Sequence, residues 1–176
     1  MKRFWILLLF GIMLAGCSSG PSLQQYYVTK AENPNFLSAD LPVSLLNIKK
    51  DELSAQQKEA FESLRKMNLL AFKKTPENGA EYEAEKVTVK TILDNDDFTE
   101  LMKMKTPFGN GTVKYLGDDD AIDEVIIYGD SPEKGFMLMR VLGDNMNPAQ
   151  LAQFIELLQK SNYDGEGLEA LGSFFQ

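Results

Sequence analysis

The chain has 176 residues, 44% of them hydrophobic, with 18 Lys and Arg against 26 Asp and Glu for a formal charge of −8. That length and composition fit one globular domain with a sizeable core. No His and a single Cys are present. The usual neutral-pH general base, the commonest metal ligand, an internal disulfide and a thiolate zinc site are therefore excluded, and no metal or cofactor is expected. So acidic a body is not expected to seek nucleic acid or anionic lipid.

Met1-Lys2-Arg3 is a positively charged start, Phe4 to Leu14 is apolar apart from Gly11, and Leu14-Ala15-Gly16-Cys17 follows. Eleven residues at about 1.5 Å rise cover only about half of a roughly 30 Å hydrocarbon core, so this is a leader rather than a spanning helix. The Leu-Ala-Gly-Cys segment resembles the lipobox of bacterial lipoproteins, which implies a signal peptide over residues 1–16 and a lipidated Cys17. Acyl chains, not charge, would then hold the protein to the membrane. Ser18-Ser19-Gly20-Pro21-Ser22 reads as a flexible tether, and the stretch 17–35 as anchor and tether together. Ser18 stands where the enterobacterial sorting rule places the Asp that retains lipoproteins in the inner membrane. With no charge over Ser18 to Ser22 either, the resemblance implies the periplasmic face of the outer membrane.

The folded domain is expected over 36–163. After an Asn33-Pro34-Asn35 turn, Leu37, Ala39 and Leu41 alternate with Ser38 and Asp40 as in a half-buried strand. Pro42 can open a short helical turn through Leu45 and Leu46. Ser54-Ala55-Gln56-Gln57 fits a capping box, and Ala60, Phe61, Leu64 and Met67 carry an apolar stripe behind it, predicting a helix near 55–66. Asn68 to Phe72 reads as a strand. Residues 81–94 read as a helix with Tyr82, Val89, Ile92 and Leu93 on one face, although Val87-Thr88-Val89 also alternates as a strand does.

From Phe98 onward, short β-like runs are separated by turn residues: Phe98 to Lys105, Thr112 to Leu116, Ile122 to Tyr128 and Phe136 to Leu142, with an Asn110-Gly111 turn signal between the first two. The last run is apolar on both faces except at Arg140, as expected of a central strand. Asn147-Pro148-Ala149-Gln150 starts a helix with Met146 placed to staple Leu151, and Leu151, Phe154, Ile155 and Leu158 form its stripe. Asp164-Gly165-Glu166-Gly167 breaks it and opens a tail, 164–176, whose apolar residues Leu168, Leu171, Phe174 and Phe175 can pack back on the body. The fold class is α+β. It comprises a mostly antiparallel sheet of five or six strands, a C-terminal four-strand meander, and two or three helices expected mainly on one face.

Candidate chemistry is sparse. Asp118-Asp119-Asp120 with Asp123 and Glu124 lacks the Gly and Glu spacing of a Ca²⁺ loop and reads as a hairpin turn, and Asp94-Asn95-Asp96-Asp97 reads as a helix end. Ser63-Leu64-Arg65-Lys66 and Ser131-Pro132-Glu133-Lys134 fit Ser-x-x-Lys without its accompanying motifs. Met137 and Met139 read as core filler rather than a soft-metal site.

The lipobox, the segment Tyr27-Val28-Thr29-Lys30 to Leu45-Leu46, the run Glu100 to Lys105 and the strand ending Met139-Arg140-Val141-Leu142-Gly143-Asp144 resemble the small Bacteroidetes-type lipoproteins grouped as domain of unknown function 4252. The resemblance spans most of 26–160 and brings no established activity or catalytic residues. It implies, by association of neighbouring genes with extracytoplasmic-function sigma factors, a link to envelope sensing. The expected function is a non-enzymatic, lipid-anchored module that binds an envelope protein through an uncovered sheet face bearing Tyr115 and Tyr128. The alternatives are a carboxylate-based hydrolase using acids such as Asp123 and Glu124, and a purely structural envelope lipoprotein.

Overall fold

The computed structural model describes residues 22–46, 48–106, 109–118 and 121–160. The leader, Cys17, the tether up to Pro21 and the C-terminal tail lie outside them, as do the side chains of Phe154 and Leu158. In chain order the elements are α1 (Leu23–Lys30), β1 (Phe36–Pro42), two short 3-10 turns (Val43–Leu46 and Lys50–Glu52), α2 (Ala55–Ser63), β2 (Leu64–Lys73), α3 (Gly79–Leu93), β3 (Thr99–Thr106), β4 (Gly109–Asp118), β5 (Ala121–Ser131), β6 (Gly135–Met146) and α4 (Pro148–Lys160). The six strands form one sheet in the order β1-β2-β6-β5-β4-β3, every neighbouring pair antiparallel. The expected meander is β3 to β6. It is closed against the N-terminal strands by β2 pairing with β6, and β6 lies inside the sheet as its two apolar faces require.

Local signals set the helix starts. Ser54 and Gln57 form the reciprocal capping box, with Ser54 N–H donating to Gln57 Oε1 at 2.9 Å. Asn147 Oδ1 accepts from the N–H groups of Ala149 and Gln150 at 3.0 and 3.1 Å, and Met146 and Leu151 are both buried beside that cap. Three expectations shift here. The helix expected near 55–66 ends at Ser63, and Leu64 and Met67 of its stripe lie in β2 instead, paired with β6. Asn110 and Gly111 pair with Asp130 and Gly129 inside β4, because Thr106 already pairs with Gly109, so the Asn-Gly pair is not the turn. The stretch read as tether contains α1, capped by Ser22 Oγ accepting from Gln25 N–H at 3.2 Å, with Leu23 and Tyr26 buried. The folded body therefore includes α1, ahead of the expected start at Phe36.

The helices cover both faces, two on each, rather than mainly one. Met67, Leu69, Val125, Met137, Met139 and Val141 point to the side packed by Ala60 and Phe61 of α2 and Leu151 and Ile155 of α4. Leu70, Phe72, Ile126, Tyr128, Phe136 and Leu138 point to the side packed by Leu23 and Tyr26 of α1 and Tyr82, Val89, Ile92 and Leu93 of α3. Consecutive strand residues face opposite ways, so runs such as Leu69-Leu70-Ala71-Phe72 leave apolar surface on both sides. Each fully buried large side chain contributes about 1.5–3 kcal/mol, and one layer of helices would forfeit half of that.

The two layers differ in kind. Met67, Met102, Met104, Met137, Met139 and Met146 all lie on the α2 and α4 side, where they serve as the expected core filler. The α1 and α3 side is built on rings, with Phe72 and Phe136 stacked at 5.6 Å between centroids and Phe36 edge-on to both. Among the described residues no helix is long and apolar enough to cross a membrane.

Candidate functional site: a groove between two helices and the sheet

Helices α1 and α3 lie side by side on the aromatic layer and are joined at one end. Glu85, buried on α3, accepts from Tyr26 Oη at 2.8 Å and pairs with Lys30, while Glu81 accepts from Asn33 Nδ2 at 2.8 Å and Asn35 Nδ2 at 2.6 Å. Tyr27 Oη reaches past the helices to the backbone carbonyl of Leu138 at 2.8 Å. Through Tyr26 and Lys30, Glu85 ties α1 to the N-terminal half of α3, Glu81 ties in the turn after α1, and Tyr27 ties α1 to β6.

Toward the other end a groove of about 740 Å³ opens, walled by Leu23 and Gln24 of α1 and by Val87, Thr88, Thr91 and Ile92 of α3. Asn95, Asp97 and Phe98 close one side, and Leu116, Glu124 and Arg140 form the floor. Its size lies within the range of about 300–1,000 Å³ typical of ligand sites. Val87 and Val28, on α3 and α1, are the strongly exposed large hydrophobics among the described residues.

The floor carries the pair that interrupts two otherwise apolar strands. Arg140 Nη2 donates to Glu124 Oε2 at 2.6 Å, and the Glu124 side chain is only 7% exposed. Its hydrogen bond to the Glu124 carboxylate holds the Arg140 guanidinium more firmly protonated than usual. Arg140 Nε, also buried, has no hydrogen-bond partner among the described residues. The floor is thus polar but electrically neutral. It can orient a neutral acceptor such as a carbonyl, whereas an anion would meet Glu124 beside the cation.

The residues singled out in the sequence fall elsewhere. Tyr115 and Tyr128, expected on an outward face, are both buried, Tyr115 in the methionine layer and Tyr128 in the aromatic one, because neither sheet face is open. Glu124, grouped with the acids of a solvated hairpin, is buried. Asp123 beside it is exposed at the bulge in β5, and Glu124 is already held by Arg140, so the two are not a pair of acids facing each other across a cleft. Asp94 caps the end of α3 as expected. Ser63 Oγ donates to the Ala60 carbonyl while Lys66 pairs with Asp40 at 2.8 Å, and Ser131 Oγ accepts from Lys134 N–H in a turn, so neither Ser-x-x-Lys pattern assembles a nucleophile with a base. Among the described residues no three His, Cys, Asp or Glu side chains gather as a metal site would need.

At the joined end of the helices, fully buried Tyr82 donates to the Asp130 carboxylate, with Lys86 3.4 Å from that carboxylate and Lys74 Nζ 4.5 Å from the ring centroid. Burial first, then the Asp130 bond, pushes its hydroxyl far above the ordinary tyrosine range, so it stays protonated and cannot act as a base. Burial pushes Tyr26 and Tyr128 in the same direction. Unfolding lets these three hydroxyls return to a pKa of about 10. Their stabilisation is therefore complete below about pH 10 and is lost as the pH rises beyond it, at about 1.4 kcal/mol per pH unit for each tyrosine. Alkaline titration is expected to unfold the domain cooperatively above about pH 10, with tyrosinate absorbance and loss of circular dichroism rising together. Tyrosinate formation at ordinary pKa in a protein that stays folded would contradict the burial of these hydroxyls.

The sequence held a partial signal for this site. Arg140 and Glu124 stand out as charges in apolar strands, but that they meet follows only from the β5–β6 register, in which Arg140 lies opposite Ile126 and diagonal to Glu124. The walls depend on α1 and on how α1 and α3 diverge, which no local pattern encodes. No curated protein and no solved structure matches the chain. The family model described as domain of unknown function (DUF4252) matches residues 26–154, from α1 into α4 and well over half of the sequence. The chain belongs to the DUF4252 family.

Proposed function

We propose that the protein is an envelope lipoprotein, held by Cys17 at the periplasmic face of the outer membrane, and that its domain binds an apolar segment of another envelope protein in the groove between α1 and α3. The observation that carries the reading is the groove itself: apolar walls and an internally neutralised floor, opening beside Leu23 and thus a few residues after Cys17. Apolar walls reward burial of apolar side chains, the neutral floor suits a peptide carbonyl, and a net charge of −8 disfavours nucleic acid. Binding rather than catalysis is further supported by Glu124 being neutralised by Arg140, since a carboxylate hydrolase needs two acids facing each other across a cleft.

Two variants test the two halves of this reading. Cys17→Ser is expected to yield an unprocessed precursor that takes up no labelled acyl chain; normal-sized, acyl-labelled protein would overturn the anchor. Val87→Asp places a charge on an exposed groove wall, where it costs the fold little. Crosslinking in intact envelopes is expected to recover about tenfold less partner with this variant at an unchanged melting temperature. Undiminished recovery would overturn the groove as the partner's binding site.

A further inference from the structure

Helix α4 starts directly after β6 on the methionine side and packs against β3, the far edge strand. Its 13 residues make it about 20 Å long. The three strand spacings from β6 to β3 amount to roughly 14 Å. The chain therefore leaves α4 at or beyond the β3 edge of the sheet. The groove lies on the opposite face on the same side of the sheet, with Leu116 of β4 in its floor and Phe98 immediately before β3 in its wall.

Sixteen residues follow α4 in the sequence. The first seven, Ser161 to Gly167, can span roughly 23 Å when extended, enough to pass around one sheet edge from the layer above to the layer below. Gly165 and Gly167 allow the chain to turn there. Beyond them come Leu168, Leu171, Phe174 and Phe175, spaced as the apolar anchors that fill a groove between helices. We infer that this C-terminal segment occupies the α1–α3 groove in its own molecule, with those side chains against Leu23, Ile92, Phe98 and Leu116.

The groove selects this occupant over the alternatives. An acyl chain, from Cys17 or a lipid, would have to leave a bilayer that buries all its methylenes for a groove open along one side. A second copy is equally acidic and would approach against repulsion. The tail is tethered, and a short flexible connection keeps its local concentration in the millimolar range, so even weak contacts are occupied. Docking of the tail rests on the groove and the chain path alone. One consequence rests on the partner-binding reading above: the tail must be displaced for a partner to bind, which makes it a competitor built into the chain.

Full-length lipidated protein with Thr91→Cys and Phe174→Cys tests the docking, compared with Gln56→Cys and Phe174→Cys, in which the first cysteine sits on exposed α2 on the other face. Mild oxidation is expected to close the Thr91–Phe174 pair within one chain at least tenfold faster than the Gln56 pair. Equal rates, no bond, or bonds between chains that increase with concentration would overturn the docking. Leu171→Asp with Phe174→Asp is expected to raise amide exchange over 87–92 by about tenfold in an otherwise folded protein, and unchanged exchange would overturn it independently. Removal of 164–176 is expected to raise partner recovery several-fold. If the disulfide forms but Val87→Asp leaves recovery unchanged, the docking stands and the partner reading falls. If Val87→Asp abolishes recovery and no disulfide forms, the reverse holds.

Discussion

Gly135→Ala is expected to remove most of the stability of the domain, by more than about 3 kcal/mol out of the roughly 5–15 kcal/mol that a domain of this kind possesses. Gly135 opens β6 at φ +124°, a backbone conformation that L side chains rarely adopt, and a Cβ built there would lie 1.9 Å from the Phe72 carbonyl oxygen. Relief requires the start of β6 to move away from β2, which breaks the Lys73–Gly135 pairing and separates the stacked rings of Phe72 and Phe136. Gly79→Ala is the control: in the first turn of α3 a Cβ meets nothing within 4 Å, and alanine there is expected to be neutral or to stabilise by up to about 1 kcal/mol. Denaturant titration of both variants measures the contrast. Similar losses, or a folded Gly135→Ala protein of ordinary stability, would mean that β2 and β6 do not approach as closely as described.

Glu124→Leu is expected to cost about 3 kcal/mol, while the double change Glu124→Leu with Arg140→Met recovers most of it. The single change strands a guanidinium over an apolar floor, whereas replacing both charges with side chains of similar bulk removes the burden of desolvating either. Arg140 keeps 20% of its side chain exposed, which places the expected loss at the lower end for a broken buried pair. Denaturant midpoints for both single variants and the double give a cycle with a coupling of about 2 kcal/mol. Strict additivity would show that the two charges do not depend on each other.

Much of the fold was legible because the signals are local. The Ser54 capping box, the Asn147-Pro148 start and the alternation along Leu37, Ala39 and Leu41 each mark an element that the structure contains. Helix α1 was missed although Ser22-x-x-Gln25 with Leu23, Tyr26 and Tyr27 has the form of a capped helix, since Ser18 to Pro21 ahead of it read as linker. The placement of Tyr115 and Tyr128 failed for a different reason. Alternation distinguishes the two faces of a strand but says which is outward only when one of them meets water, and here both are covered. Buried Glu85 could not be distinguished from half-buried Glu81 and exposed Glu83, because its partners Tyr26 and Lys30 lie more than fifty residues earlier.

The split between a methionine layer and an aromatic layer sets where this domain can change over evolutionary time. Methionine side chains are unbranched and refit irregular gaps, so exchange with leucine or isoleucine at Met67, Met137 or Met139 costs little while the volume is kept. Phe36, Phe72 and Phe136 constrain one another through stacked and edge-on contacts at 5.0 to 6.0 Å, and a smaller side chain at any of them leaves a void that its neighbours cannot fill. Divergence should therefore accumulate under α2 and α4, while the ringed layer under α1 and α3 keeps its shape and drifts slowly.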